Sequence, residues 1–263
     1  MRIASTPKSL TLLSLLIPLG CAGTTGDRLR DFPAAASGPG DVTNPLAFTT
    51  DLGWHVILSK ATLHVGALYL DQSRPVSGVQ DINCVLPGTY VAQETSGLDV
   101  DLLSALPQYF PALAHGSSLP AIVGQVWLTG GAIDDTNDAT KILVVAGTAE
   151  QNGTTVPFLA QLTIGTNFAM SGALAGAQSI CKERIVSPIP SALSVEQTGG
   201  LLLSVDPRRL FVNVDFSELD MTTSAPFLFS NDPTSSDFTQ PSRNLFDNLR
   251  SLGPYAFSWS DGL

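Results

Sequence analysis

The chain of 263 residues carries 13 Lys and Arg against 23 Asp and Glu, a formal charge of −10, and only 14% of its residues are charged. Such an anionic surface repels phosphate backbones and makes nucleic acid an unexpected partner. With 44% hydrophobic residues the chain can fill a core, which excludes disorder; 23 Gly and 18 Pro favour short strands joined by turns.

Residues 1–20 read as an export signal. Arg2 and Lys8 make a positive start, Leu10 to Leu19 is apolar apart from Thr11, Ser14 and Pro18, and the small residue Gly20 follows. The apolar stretch falls short of the roughly 20 residues that cross a bilayer. In residues 21–45, Ala22-Gly23-Thr24-Thr25-Gly26 and Ala34-Ala35-Ala36-Ser37-Gly38-Pro39-Gly40 offer little to bury, and the segment reads as a flexible tether. A single β-domain is expected over 46–263.

The run Leu16-Ile17-Pro18-Leu19-Gly20-Cys21 resembles the lipobox of bacterial lipoproteins, departing from the usual order at Pro18 and Leu19. The resemblance implies cleavage before Cys21 and a diacylglycerol on its thiol. The lipid bilayer is then a partner through acylated Cys21, and the address is the bacterial envelope. Ala22 after the Cys resembles the default for the outer membrane. Using Cys21 in this way leaves Cys84 and Cys181, an even pair in an oxidising compartment, and a disulfide is expected between them. Closing a loop of 97 residues contributes about 4–5 kcal/mol in the chain-entropy model. Two buried free thiols are the alternative.

From Asp51 the pattern turns to strands. Trp54, Val56 and Leu58, then Ala61, Leu63, Val65, Ala67 and Tyr69, alternate with His55, Ile57, Thr62 and His64. This predicts one long strand bent near Ser59-Lys60 or at Gly66, or two strands meeting there. A strand is expected over Val85 to Gln93, interrupted at Pro87-Gly88, and another where Leu98, Val100 and Leu102 alternate with Asp99 and Asp101. Pro107 to Pro120 reads as a loop, Ala121 to Leu128 as a strand, and Asp134 to Asp138 as an exposed acidic turn. Asn152-Gly153 predicts a hairpin between flanking strands. Leu201 to Val205 and Leu210 to Phe216 read as strands split by Asp206-Pro207, while Ser171 to Ile185 stays ambiguous. A helix is expected over 242–252, capped by Ser242, with Leu245, Phe246, Leu249 and Leu252 as its apolar stripe and Gly253-Pro254 as its stop. Tyr255 to Trp259 reads as a last strand. The fold class is mainly β, an antiparallel sandwich or barrel-like domain with one short C-terminal helix.

Gly53 to Leu58 with Ala61 to Tyr69, and Asp206 to Phe211 with Tyr255 to Trp259, resemble segments of uncharacterised envelope lipoproteins of myxobacterial type. That resemblance implies no activity.

The chemistry-bearing residues are few. His55, His64 and His115 are the three histidines. Nine positions place His55 and His64 on opposite faces of an unbroken strand, and a bulge brings them to one face. A divalent metal is then within reach of His64, Asp99 and Asp101, with Glu94 as a further ligand; ordinary strand positions are the plainer reading. Trp54, Tyr90, Trp127 and Trp259 are candidates for a carbohydrate platform, though aromatics in strands more often fill a core. No Gly-x-Ser-x-Gly, His-Glu-x-x-His or phosphate-binding glycine loop occurs. The expected role is therefore binding of an unidentified protein or small molecule, or envelope structure. Metal binding through His and Asp, or a carboxylate- or metal-dependent hydrolase, is the alternative.

Overall fold

The computed structural model describes residues 30–72, 90–116, 121–130, 140–163, 189–196, 198–230 and 238–263. The first strands are β1 (Arg30–Phe32), β2 (Ala34–Ser37), β3 (Leu46–Thr49), β4 (His55–Val65) and β5 (Ala67–Asp71). β6 (Tyr90–Glu94), β7 (Leu98–Asp101), β8 (Gln108–Tyr109), β9 (Ala114–Gly116) and β10 (Ala121–Thr129) follow. Then come β11 (Lys141–Gln151), β12 (Thr154–Thr163), β13 (Ile189–Val195), β14 (Gly200–Val205), β15 (Phe227–Leu228) and β16 (Tyr255–Ser260). One α-helix, α1 (Gln240–Leu249), and two 3-10 turns, Pro207–Phe211 and Phe216–Glu218, complete the described elements.

The strands form three open sheets, in the orders β1-β9-β6-β5-β10-β13, β15-β12-β11-β4-β3 and β16-β14-β2-β8, with β7 also paired to β4. Pairing is antiparallel except between β12 and β15 and between β14 and β2. Among the described residues none of the sheets closes into a barrel, and the mainly β class with one short helix takes the sandwich form.

β4 and β5 are one strand bent twice. Opposite β11, Lys60 aligns with Ala146 and Leu58 with Gly147, which leaves Ser59 as an extra, bulged residue. At Gly66, whose N–H donates to Thr129 O at 2.8 Å, the strand leaves the second sheet and enters the first. The two positions expected as alternatives are both used, and the Gly66 bend joins two sheets through one continuous backbone. The Asn152-Gly153 hairpin is also present: φ is +51° and +78° there, the conformation that a two-residue hairpin of this hand requires.

Four sequence expectations are corrected. The stretch read as tether already contains β1 and β2, and all four residues of β2 are buried. β2 lies inside a sheet between β14 and β8, so its methyl side chains are core rather than spacer. Pro107 to Pro120 holds two short strands, β8 and β9, instead of a plain loop. Leu210 to Phe216 is no strand: Pro207 opens a 3-10 turn, Asp206 accepts from Arg208 N, and Leu210, Phe211, Val214 and Phe216 are all buried instead of alternating. The helix starts earlier than expected, with Thr239 as N-cap, and stops at Leu249. Ser242 lies within it, fully buried, accepting from Ser230 N at 2.9 Å, and Leu252 is 46% exposed beyond its end.

The core gathers the inward faces of all three sheets. Phe158 of β12, Phe211 and Phe216 of the 3-10 turns and Phe229 form an aromatic cluster with centroids 4.9–6.1 Å apart, and Trp54 joins Phe216 at 5.5 Å. α1 closes this end. Its Leu245 and Leu249 are buried, and Asn248 Nδ2 donates to Leu210 O and Val212 O at 3.0 and 2.7 Å.

Candidate functional site

The Ser59 bulge puts His55 and His64 on the outer face of β4. Nine residues along a strand separate them by roughly 27 Å, so they share no site. β7 pairs with β4 so that His64 faces Asp99, and His64 Nδ1 lies 2.7 Å from Asp99 Oδ1. Asp101 is two pairs further along, opposite Thr62, and its Oδ1 accepts from Leu103 N at 2.9 Å. The fold thus brings together two of the three expected metal ligands. Glu94 is buried in β6, its Oε1 accepting from Ser96 N at 2.6 Å and from Ser96 Oγ. No group of three His, Cys, Asp or Glu able to hold a metal ion occurs among the described residues. A second His–Asp contact, His115 Nδ1 to Asp31 Oδ1 at 2.6 Å, forms between β9 and β1. Cys21, Cys84 and Cys181 lie outside the described residues.

The aromatic residues do not assemble as a platform. Trp54 is buried in the turn just before β4, Trp127 is buried in β10, and Tyr90 stands in β6. Trp259 of β16 is different. Its ring lines a groove of about 510 Å³ between β13 and β16, with Ala192, Leu193, Ser194, Glu196, Phe257 and Asp261. β13 and β16 are edge strands of two different sheets, so the groove runs between strand edges. Trp259 is held by two contacts: its Nε1 donates to Thr198 O at 2.6 Å, and its ring meets Phe32 edge-on at 5.0 Å. Trp259 nevertheless remains partly exposed. Glu196 and Asp261 are exposed carboxylates beside it, with no ion-pair partner among the described residues. A fixed aromatic face flanked by hydrogen-bond acceptors is the chemistry that seats a sugar ring. Trp259 was legible as an aromatic candidate; Phe257, Glu196 and Asp261 were not, because the groove forms between strands distant in sequence.

A second cleft, of about 340 Å³, is lined by Phe48, Thr49, Thr50, Asp51, Asp206, Arg208, Arg209, Phe211 and Val212. Its principal cation is committed to structure. Arg208 Nη1 and Nη2 donate to the two carboxylate oxygens of Asp41 at 2.8 and 3.0 Å, and its Nε donates to Asp206 Oδ1 at 2.8 Å. The hydrogen bonds from Arg208 hold the Asp41 carboxyl below its ordinary range, and these two carboxylates push the guanidinium further up. The residues form a clasp between the turn after β2 and the first 3-10 turn.

Compared with known proteins, the chain matches no family model, no curated sequence and no solved structure.

Proposed function

We propose that the protein is a lipid-anchored envelope protein, held through acylated Cys21, whose β-domain binds a saccharide in the groove between β13 and β16. The anchor rests on the lipobox-like run ending at Cys21, and the binding role on the groove. The observation that carries it is the Trp259 ring, held by Thr198 and Phe32 yet partly exposed beside the exposed carboxylates of Glu196 and Asp261. A ring immobilised before the ligand arrives loses little conformational freedom on binding.

The experiment is a titration of the purified domain with soluble glycan fragments of the bacterial envelope, read by calorimetry and indole fluorescence. Binding by the parent and its loss in Trp259→Ala support the reading. No binding by the parent, or equal binding by both, overturns it.

A further inference from the structure

We infer that the connection carrying Leu106, Tyr109 and Leu113 docks on the surface of the bilayer that holds the anchor. The inference rests on the proposed anchoring at Cys21.

These three residues are 74%, 53% and 49% exposed. The other exposed apolar residues among those described, such as Leu52, Ile57, Ile122, Met221 and Leu228, are dispersed along the chain, as is normal for soluble proteins. Here three fall within one connection, and no charged side chain occurs between Asp101 and His115. The sequence Leu102-Leu103-Ser104-Ala105-Leu106-Pro107-Gln108-Tyr109-Phe110-Pro111-Ala112-Leu113-Ala114 is free of the charges that resist entry into a headgroup layer.

The connection is pinned from behind. Gln108 binds the Asp101 backbone with both amide atoms, accepting from N at 2.8 Å and donating to O at 2.9 Å. Phe110 is buried, and its N–H donates to Ala34 O at 3.0 Å. Ala112 N donates to Ser96 Oγ at 3.2 Å. Leu106, Tyr109 and Leu113 therefore stand out from a fixed backbone, and a tyrosine among them suits the boundary between headgroups and acyl chains.

Chain length places a bilayer beside them. Residues 22–29 separate Cys21 from β1, so a fully extended chain brings Arg30 no further than about 30 Å from the acylated residue. β1 pairs with β9, aligning Phe32 with Ala114, the neighbour of Leu113. β2 pairs with β8, aligning Ala35 with Tyr109. The apolar residues are thus next to the strands through which the anchored chain enters. A second copy of the chain is the rival occupant, but nothing ties its position to these strands.

The test uses the full chain, expressed in a bacterium that acylates lipoproteins. Leu106→Trp and Leu228→Trp, the latter on β15, are each reconstituted into phosphatidylethanolamine–phosphatidylglycerol vesicles with brominated or plain acyl chains. Mass spectrometry of the Cys21 peptide reports acylation. Loss of the added indole fluorescence in brominated vesicles for Leu106→Trp, with none for Leu228→Trp, is the expected result. An acylated, vesicle-bound protein whose Leu106→Trp signal ignores bromine overturns the docking and leaves the anchor standing. Bromine-insensitive shielding with a doubled particle mass overturns it in favour of a second copy. An unacylated chain that stays in the aqueous phase overturns the anchor itself, and the docking with it.

Discussion

His55 and His64 share the outer face of β4 because Ser59, bulged between them, shifts the alternation by one residue. The bulge is seated on β11, where Ser59 Oγ donates to Ala146 O at 3.2 Å and the register steps between Ala146 and Gly147. The backbone closes tightly there: a Cβ on Gly147 would lie 2.2 Å from Ile57 O. Glycine is required by that close approach.

Gly147→Ala is therefore expected to cost about 1–3 kcal/mol, because backbone cannot move aside as a side chain can. Gly40→Ala is the control, since a Cβ there meets nothing within 4 Å. Urea unfolding of both variants checks this. Equal midpoints for Gly147→Ala and the parent would mean that the bulge relaxes freely.

Asp41 ties acid stability to the Arg208 clasp. Its folded pKa lies below the ordinary value of 3.8, chiefly through the hydrogen bonds from Arg208. A depressed carboxylate stabilises the fold fully above its unfolded pKa, and that contribution is lost as pH falls through the lower folded value. Asp41→Asn is expected to lower the urea midpoint near neutrality and to flatten its fall below about pH 4. Parent and variant should converge at the acid end. Parallel curves would contradict this. The pair is partly exposed, so the effect should also weaken in salt.

Elements announced by side-chain alternation or by turn residues were legible in the sequence. Asn152-Gly153 fixed a hairpin, the alternation from Trp54 onward gave β4 and β5, and Gly253-Pro254 followed the helix. What escaped depends on tertiary neighbours. Ala34-Ala35-Ala36 has no alternation to read, and only its place between β14 and β8 makes it core. Leu210 to Phe216 has enough apolar residues for a strand, yet it is wound tightly by Pro207 and by the caps at Asp206 and Asp215. The groove around Trp259 is less legible still, since β13 and β16 meet without a shared hydrogen-bond ladder.

The anchor has its own expected outcome. Cys21→Ser removes the thiol that would carry the acyl chains, each contributing about 0.8 kcal/mol per buried methylene. In a detergent-partition assay the parent should enter the detergent phase and Cys21→Ser the aqueous phase. An unchanged distribution would remove the anchor.

Cys84 and Cys181 give a count. After denaturation without reductant, the mature protein should show no reactive thiol once Cys21 is acylated. Two free thiols would replace the expected bridge with separate cysteines.

The C-terminal segment should be indispensable to the fold. An isolated helix as short as α1 is marginal in water, so its order must come from docking. Leu245, Phe246 and Leu249 are at most 5% exposed, and the Arg250 guanidinium lies 5.6 Å from the Phe246 ring centroid. β16 then pairs with β14 along its whole length, from Gly200 with Ser260 to Val205 with Tyr255. The buried Tyr255 hydroxyl donates back to Leu249 O at 2.6 Å, linking helix and strand. Phe246→Ala should cost about 3–5 kcal/mol through lost burial and the cavity left behind. That is a large share of a typical margin of about 5–15 kcal/mol. Leu252→Ala, beyond the helix and 46% exposed, should stay within about 0.5 kcal/mol of the parent. Deleting residues 242–263 removes most of α1 and all of β16, leaving β14 as an unprotected edge, and the truncated chain should lose its cooperative urea transition. A truncated chain with the parent's midpoint and slope would make the segment a dispensable appendage.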